Sequence, residues 1–268
     1  MNYNLLKKSQ DSEIKKMNFR PKNIITLIGE FIIFLFNSFA YFHNLFNRRI
    51  ELFKQMKRIG YDSIPLIFVT SAFTGLVTAV QASYQTSGYI PTSLIGVLVG
   101  KSTMIELAPV LTALVLSGKV GASLSAEIGT MKVTEQLDAL KTLAIDPFDF
   151  LYLPRIIAGI LAFPLLTVFS NFIAIISAFI LSHFKYGISR YSFFNNMKNY
   201  FLPSDLWGGL VKAVFFGFIV TALGCFLGTK TENGAEGVGK VTTYTVVFSS
   251  ILILILDFAV ASILFGEA

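Results

Sequence analysis

The sequence predicts an all-α membrane protein, with an N-terminal interfacial helix, five transmembrane helices, and a short cytoplasmic helix between the second and third. Three observations predict it. Of 268 residues, 54% are hydrophobic and only 14% charged, against about 25% charged in an average soluble domain. Five apolar runs are long enough to cross a ~30 Å hydrocarbon layer at about 1.5 Å rise per residue. Lys and Arg gather in alternate connections, as the positive-inside rule demands of a chain that crosses repeatedly.

Residues 1–23 (MNYNLLKKSQDSEIKKMNFRPKN) contain Asp11 and Glu13 and no apolar core, which argues against a signal or transit peptide. The run Ile24–Phe46 is apolar but holds Glu30, Asn37, His43 and Asn44. The spans that follow are Ile64–Tyr84, Leu94–Ser117, Ile156–Leu181, Trp207–Thr229 and Tyr244–Phe265. If Ile24–Phe46 stays in the interface, the inside segments 1–63, 118–155 and 230–243 carry 17 Lys and Arg, and the outside carries 3, Lys185, Arg190 and Lys198. If it spans, every later connection flips and the counts become 9 inside and 11 outside. Only the first arrangement obeys the rule, so Ile24–Phe46 is read as an interfacial helix. The chain then divides into a tail and interfacial helix, 1–50, and a single membrane domain, 51–268. The main outside connection is Ser182–Pro203. The Gly-rich GTKTENGAEGVGKVTT joins the last two spans on the inside.

The chemistry of the motifs excludes several function classes. A net charge of +6 in such a chain reports topology rather than nucleic-acid binding. Cys225 is the single cysteine, so there is no disulfide framework and no Cys–His metal spacing. No nucleophile–base pair stands out, so no catalytic residue, metal or cofactor is expected. GVLVGKST, Gly96–Thr103, looks like a phosphate loop, but three residues rather than four separate its glycines and it lies inside a span. It reads instead as a close-packing GxxxG step, as does GCFLG, Gly224–Gly228. Three charges lie within spans: Glu106 in the second, Lys212 in the fourth and Asp257 in the fifth. Charges at such depth face a bundle interior or a wet cavity. Lys212 and Asp257 share a depth near the outer ends of their spans and are expected to pair.

The stretch GKVGASLSAEIGTMKVTEQLDAL, Gly118–Leu140, is polar without being loop-like. From Ser125 onward Ile128, Met131, Leu137 and Leu140 recur near helical spacing, with Glu127, Thr130, Thr134, Glu135 and Asp138 on the other side. Asp146–Pro147 ends the pattern, because a residue before proline avoids the helical region. A helix over Ser125–Leu140 with a mainly acidic face suits a basic protein partner better than anionic lipid.

At this point a resemblance emerges. ELAPVLTALVLSGKVGASLSAEIGTMKVTEQLDALKTLAIDPFDFLYLPRIIAG, together with FTGLVTAVQ upstream and LVKAVFFGFIVT and TTYTVVFSSILILILDFAVASILFG downstream, resembles the MlaE-type permeases. These are membrane subunits of ABC lipid transporters in bacterial and plastid envelopes. The resemblance covers about Pro65 to Gly266. It implies a homodimer that moves phospholipid, an ABC ATPase subunit that hydrolyses the ATP, and an MCE-domain lipid-binding protein on the far side. It makes Ser125–Leu140 the coupling helix, with Glu127, Thr130, Met131, Glu135 and Asp138 facing the ATPase. It places Glu106, Lys212 and Asp257 on the lipid path, although Ile105 stands where the family often has Arg. A plastid inner envelope, or otherwise a bacterial inner membrane, is the implied location. The alternative is a self-contained secondary transporter or channel that uses Glu106 and Asp257 as ion sites; such a carrier needs no coupling helix.

Overall fold

All regular structure among the described residues is helical. Hydrocarbon offers the backbone no partners, so a spanning chain must satisfy its N–H and C=O groups within itself. The computed structural model describes residues 21–86 and 94–265; the N-terminal tail, residues 1–20, and Gly266 lie outside the described residues. Helix α1 is Pro21–Ala40, followed by a tight turn over Phe42–Phe46. Helices α2 (Arg49–Ile59) and α3 (Ile64–Thr86) run on through a short turn at Tyr61–Ser63. The second span is assembled from α4 (Ile95–Ser102), α5 (Ala108–Leu116) and α6 (Ala122–Val133). Wider π-type turns at Thr103–Leu107 and Ser117–Gly121 join them. Then come α7 (Gln136–Thr142), α8 (Leu153–Tyr186), α9 (Arg190–Asn199), α10 (Pro203–Thr229) and α11 (Gly234–Phe265).

Among the described residues, five helices are long and apolar enough to cross a membrane: Arg49–Gln85, Ile95–Val133, Phe148–Tyr186, Pro203–Thr229 and Gly234–Leu264. Their centres match the apolar runs, but most outrun them. The second covers 39 residues, about 58 Å of helix at ~1.5 Å per residue, so it extends well past any hydrocarbon layer. The excess lies on the side predicted to be inside, where α2, α6 and the start of α11 continue beyond the apolar stretches.

The fourth span is the centre of the bundle and the fifth is largely uncovered. Small residues let the helices approach, which substitutes for the hydrophobic drive that lipid removes. Gly159 of α8 faces Gly217 of α10 so closely that a Cβ on Gly217 would sit 2.5 Å from the Gly159 carbonyl oxygen. Around that crossing Leu116, Val120, Phe163, Phe216 and Val220 form the buried core. Both glycine steps expected from the sequence are packing sites. Gly96 and Gly100 receive Phe193 and Met197 of α9, and Gly224 and Gly228 receive the second span at Gly121, Leu124 and Ile128.

Helix α1 does not cross the bundle. Midway along this helix Glu30 pairs with Lys230 at 2.8 Å, at the inside end of the fourth span. Just past its end Tyr41 Oη donates to Asp146 at 2.7 Å, before the third span begins. Glu30 and Tyr41 therefore touch the same end of the bundle, so the second half of α1 runs along that end rather than through it. In between, Phe31 packs edge-on and Phe34 at a tilt against Phe226, and Phe34 also meets Phe148 and Tyr152. The Asp146 carboxylate raises the Tyr41 phenol above its ordinary range, through the hydrogen bond first and its charge second.

This arrangement sets an expected result for topology. Lys54 and Asn199 are both exposed and lie at opposite ends of the bundle, and Cys225 is buried. An impermeant thiol reagent added outside intact cells should label Asn199→Cys and spare Lys54→Cys. Labelling of Lys54→Cys alone would invert every connection.

Candidate functional site

The fourth span enters at Leu202, whose N–H donates to Asp205 Oδ2 at 3.2 Å; Asp205 in turn lies 3.6 Å from Lys101. About two turns further, Gly209 passes so close to the second span that a Cβ there would be 2.2 Å from the Met104 carbonyl oxygen. Met104 belongs to the π-type turn Thr103–Leu107, and so does Glu106. The close approach and the bulge together bring Glu106 to Lys212. Lys212 Nζ lies 2.6 Å from Glu106 Oε1 and 2.9 Å from Asp257 Oδ1 of the fifth span. The Lys212 side chain is fully buried, whereas Asp257 is 22% and Glu106 40% exposed.

Three spans therefore meet at one ammonium with two carboxylates. Lys212 can neutralise one of them, so with both ionised the site carries an excess negative charge that opens through Glu106. In hydrocarbon such a site attracts water, a cation or a polar head group. The Lys212–Asp257 pair matches the sequence expectation. Glu106, expected on the lipid path without a stated partner, is the third member.

A second constellation lies at the inside end. Arg155, buried near the start of α8, donates from Nη2 to Glu127 Oε1 at 2.6 Å. The other Glu127 oxygen takes Arg58 Nη1 of α2, and Arg58 Nη2 also reaches Ser123 Oγ at 3.1 Å. Nearby, Lys119 Nζ bonds the Asp62 carbonyl and, at 3.1 Å, Ser63 Oγ. One carboxylate thus ties α2, α6 and α8 together. Arg155 retains two buried nitrogens, Nε and Nη1, with no hydrogen-bond partner among the described residues. The sequence reading missed Arg58 and Arg155. Arg155 could have been flagged as the cation closing an apolar boundary in the same segment as Glu127.

The expected single helix over Ser125–Leu140 is corrected. Helix α6 runs on from the second span and ends at Val133; Glu135 adopts a left-handed backbone, φ 61°, and α7 starts afresh at Gln136. Thr130, Glu135 and Asp138 are exposed, Met131 is half-buried, and Leu137 is buried against Ile128, Tyr152 and Phe226. Glu127 turns inward to the arginines. The exposed face is also less acidic than expected, because Lys132 and Lys141 stand beside it. Lys141 pairs with Asp138 at 2.9 Å, which lowers the Asp138 carboxyl below its usual range by hydrogen bond and charge. Between α7 and α1 lies a cavity of about 520 Å³, with Phe34, Leu137, Phe148 and Tyr152 among its lining and Lys132 and Lys141 at its edge.

Comparison with known proteins gives concordant results. A family model described as Permease MlaE matches residues 52–263. A "Probable ABC transporter permease protein" of Rickettsia felis is 38% identical over 241 residues, 89% of this chain and 92% of the relative. The "Intermembrane phospholipid transport system permease protein MlaE" of Haemophilus influenzae is 37% identical, covering 80% of this chain and 83% of its own. The Arabidopsis thaliana protein "TRIGALACTOSYLDIACYLGLYCEROL 1, chloroplastic" is 35% identical over 80% of this chain and 61% of its own length.

Proposed function

The chain belongs to the MlaE family of permeases, and on that premise we propose how its geometry serves the membrane subunit of an ABC-type phospholipid transporter. It is a transport component, and ATP is hydrolysed on a partner ATPase subunit. The self-contained carrier reading gives way to this one. The observation that carries the mechanism is the exposed break at Thr134–Glu135 with α7 behind it, held beyond the inside end of the spans by the Glu127 junction. A rigid strut from an exposed contact to α2, α6 and α8 lets force applied at α7 move three spans together.

In this reading Glu135 and Asp138 face the ATPase, with Thr130 and Met131 at the edge of the contact. Glu127 acts as the internal strut. Glu106, Lys212 and Asp257 form the polar station on the lipid path, where an excess carboxylate and a buried ammonium hold water or the head group inside hydrocarbon. The chain works as a homodimer beside an MCE-domain lipid-binding protein; the uncovered fifth span supports a second copy. The membrane is the plastid inner envelope or a bacterial inner membrane. Residues 1–50 form an accessory segment and 51–268 the permease domain, a division supported by the family match starting at residue 52.

The test is co-purification. Glu135→Lys combined with Asp138→Lys reverses two exposed charges without touching the core, so the permease should insert normally and lose most of its ATPase. Retention of a normal ATPase share by the double variant would refute the assignment of α7.

A further inference from the structure

The connection between the third and fourth spans is not a simple outside loop. Helix α8 ends at Gly187, whose φ of 68° suits glycine. Ser189 then caps α9, its Oγ accepting from the Ser192 N–H at 3.1 Å. Helix α9 is held by Phe193, which is fully buried and with Met197 fills the notch above Gly96 and Gly100, and by half-buried Phe194, whose ring centre lies 5.1 Å from that of Phe179 of α8. Ser192, Asn196 and Asn199 form a neutral polar flank. Arg190, Tyr191, Phe194, Asn195 and Lys198 form the other flank and line one shallow surface depression.

That second flank carries two cations, at positions 190 and 198, around aromatic side chains. Tyr191 is 78% exposed. Aromatics continue around the same end of the bundle at Phe184, Tyr200 and Trp207, all exposed. Lys185 adds a third cation, placed over the Tyr186 ring. Among the described residues of this connection, 182–203, there is no Asp or Glu. Asp205, just beyond it, is buried and has Lys101 as its counter-ion. A helix with one side on the bundle, one neutral polar side and one basic–aromatic side has the composition of a helix lying in a head-group layer. The aromatic rings mark the interfacial depth, and the cations select anionic surfaces.

We infer that the exposed Arg190/Tyr191/Lys198 face of α9 binds anionic phospholipid head groups of the outer leaflet, holding a local pool of acidic lipid beside the fourth span. The inference does not depend on the assignment of α7 or of the charge triad. Its test uses the single tryptophan, Trp207, about two turns of chain beyond Lys198. The full-length chain is reconstituted in phosphatidylcholine nanodiscs containing either brominated phosphatidylglycerol or brominated phosphatidylcholine at equal mole fraction. Trp207 should be quenched preferentially by the anionic lipid, with a local enrichment of up to about fivefold per cation at low salt. The preference should collapse near 1 M salt, where the screening length falls to about 3 Å. It should also be lost in Arg190→Gln with Lys198→Gln. Equal quenching by the two lipids in the unaltered chain at low salt would overturn the inference and leave the face to an acidic protein. So would a preference that survives the double substitution or high salt. The salt arm needs no variant, so it decides the matter even if the substitutions disturb folding.

Discussion

Lys212→Met should be the most damaging single substitution in the membrane-embedded half of the protein. It leaves Glu106 and Asp257, both within 3 Å of the lost ammonium, facing each other with no cation. Breaking a buried pair by removing one partner costs roughly 3–5 kcal/mol. Folded yield in detergent should fall sharply. Asp257→Asn and Glu106→Gln should each be milder, because Lys212 keeps one carboxylate in either variant. Glu106→Gln should be the mildest, since it leaves Lys212 paired with Asp257, the better enclosed of the two carboxylates. The triple neutral variant, Glu106→Gln with Lys212→Met and Asp257→Asn, should recover most of the folded yield. If the triad is the polar station on the lipid path, phospholipid transport should stay low in that well-folded triple variant. Recovery of yield and transport together would make the triad a structural ion cluster and nothing more.

Arg155→Met should produce the next largest loss, and for a different reason. The Arg155 side chain is 3% exposed and has Glu127 as its ion-pair partner, while Arg58 is 44% exposed. Thermal unfolding should therefore rank Arg155→Met and Glu127→Gln well above Arg58→Gln. Glu127→Gln strands a buried guanidinium and approaches the roughly 3 kcal/mol expected of a broken buried pair. Arg58→Gln, near the surface, should cost at most about 1 kcal/mol. A double-mutant cycle between positions 127 and 155 should show strong coupling. Additive losses would mean that the two side chains do not act as one joint, and the strut from α7 to the third span would have no basis.

The parts of this architecture that were legible in the sequence are those written in hydropathy and charge. Five apolar runs gave five spans, and the 17-to-3 bias placed Ile24–Phe46 in the interface, where Glu30 and Tyr41 both reach one end of the bundle. Lys212 and Asp257 were paired from sign and depth alone. Glu106 was not joined to them because the Thr103–Leu107 turn is π-type. Such a turn adds a residue to one helical turn and rotates the face that follows, and hydropathy does not register it. The helix expected over Ser125–Leu140 failed at Thr134–Glu135, where neither Gly nor Pro marks a break and Glu135 itself takes the left-handed conformation. The Glu127 junction stayed hidden because its cations come from α2 and α8, 69 and 28 residues away in sequence.

The docking of α1 also fixes an order of events during synthesis. Glu30, Phe31 and Phe34 are made early, yet Phe226 and Lys230, which receive them, emerge about 200 residues later. At ~5–20 residues per second that interval is roughly 10–40 s. Phe148 and Tyr152 meet Phe34 about midway through it, but Phe31 and Glu30 wait for the end of the fourth span. A nascent chain released before Phe226 would leave Phe31 and Glu30 uncovered, which makes α1 a marker by which quality control can tell an unfinished permease from a complete one.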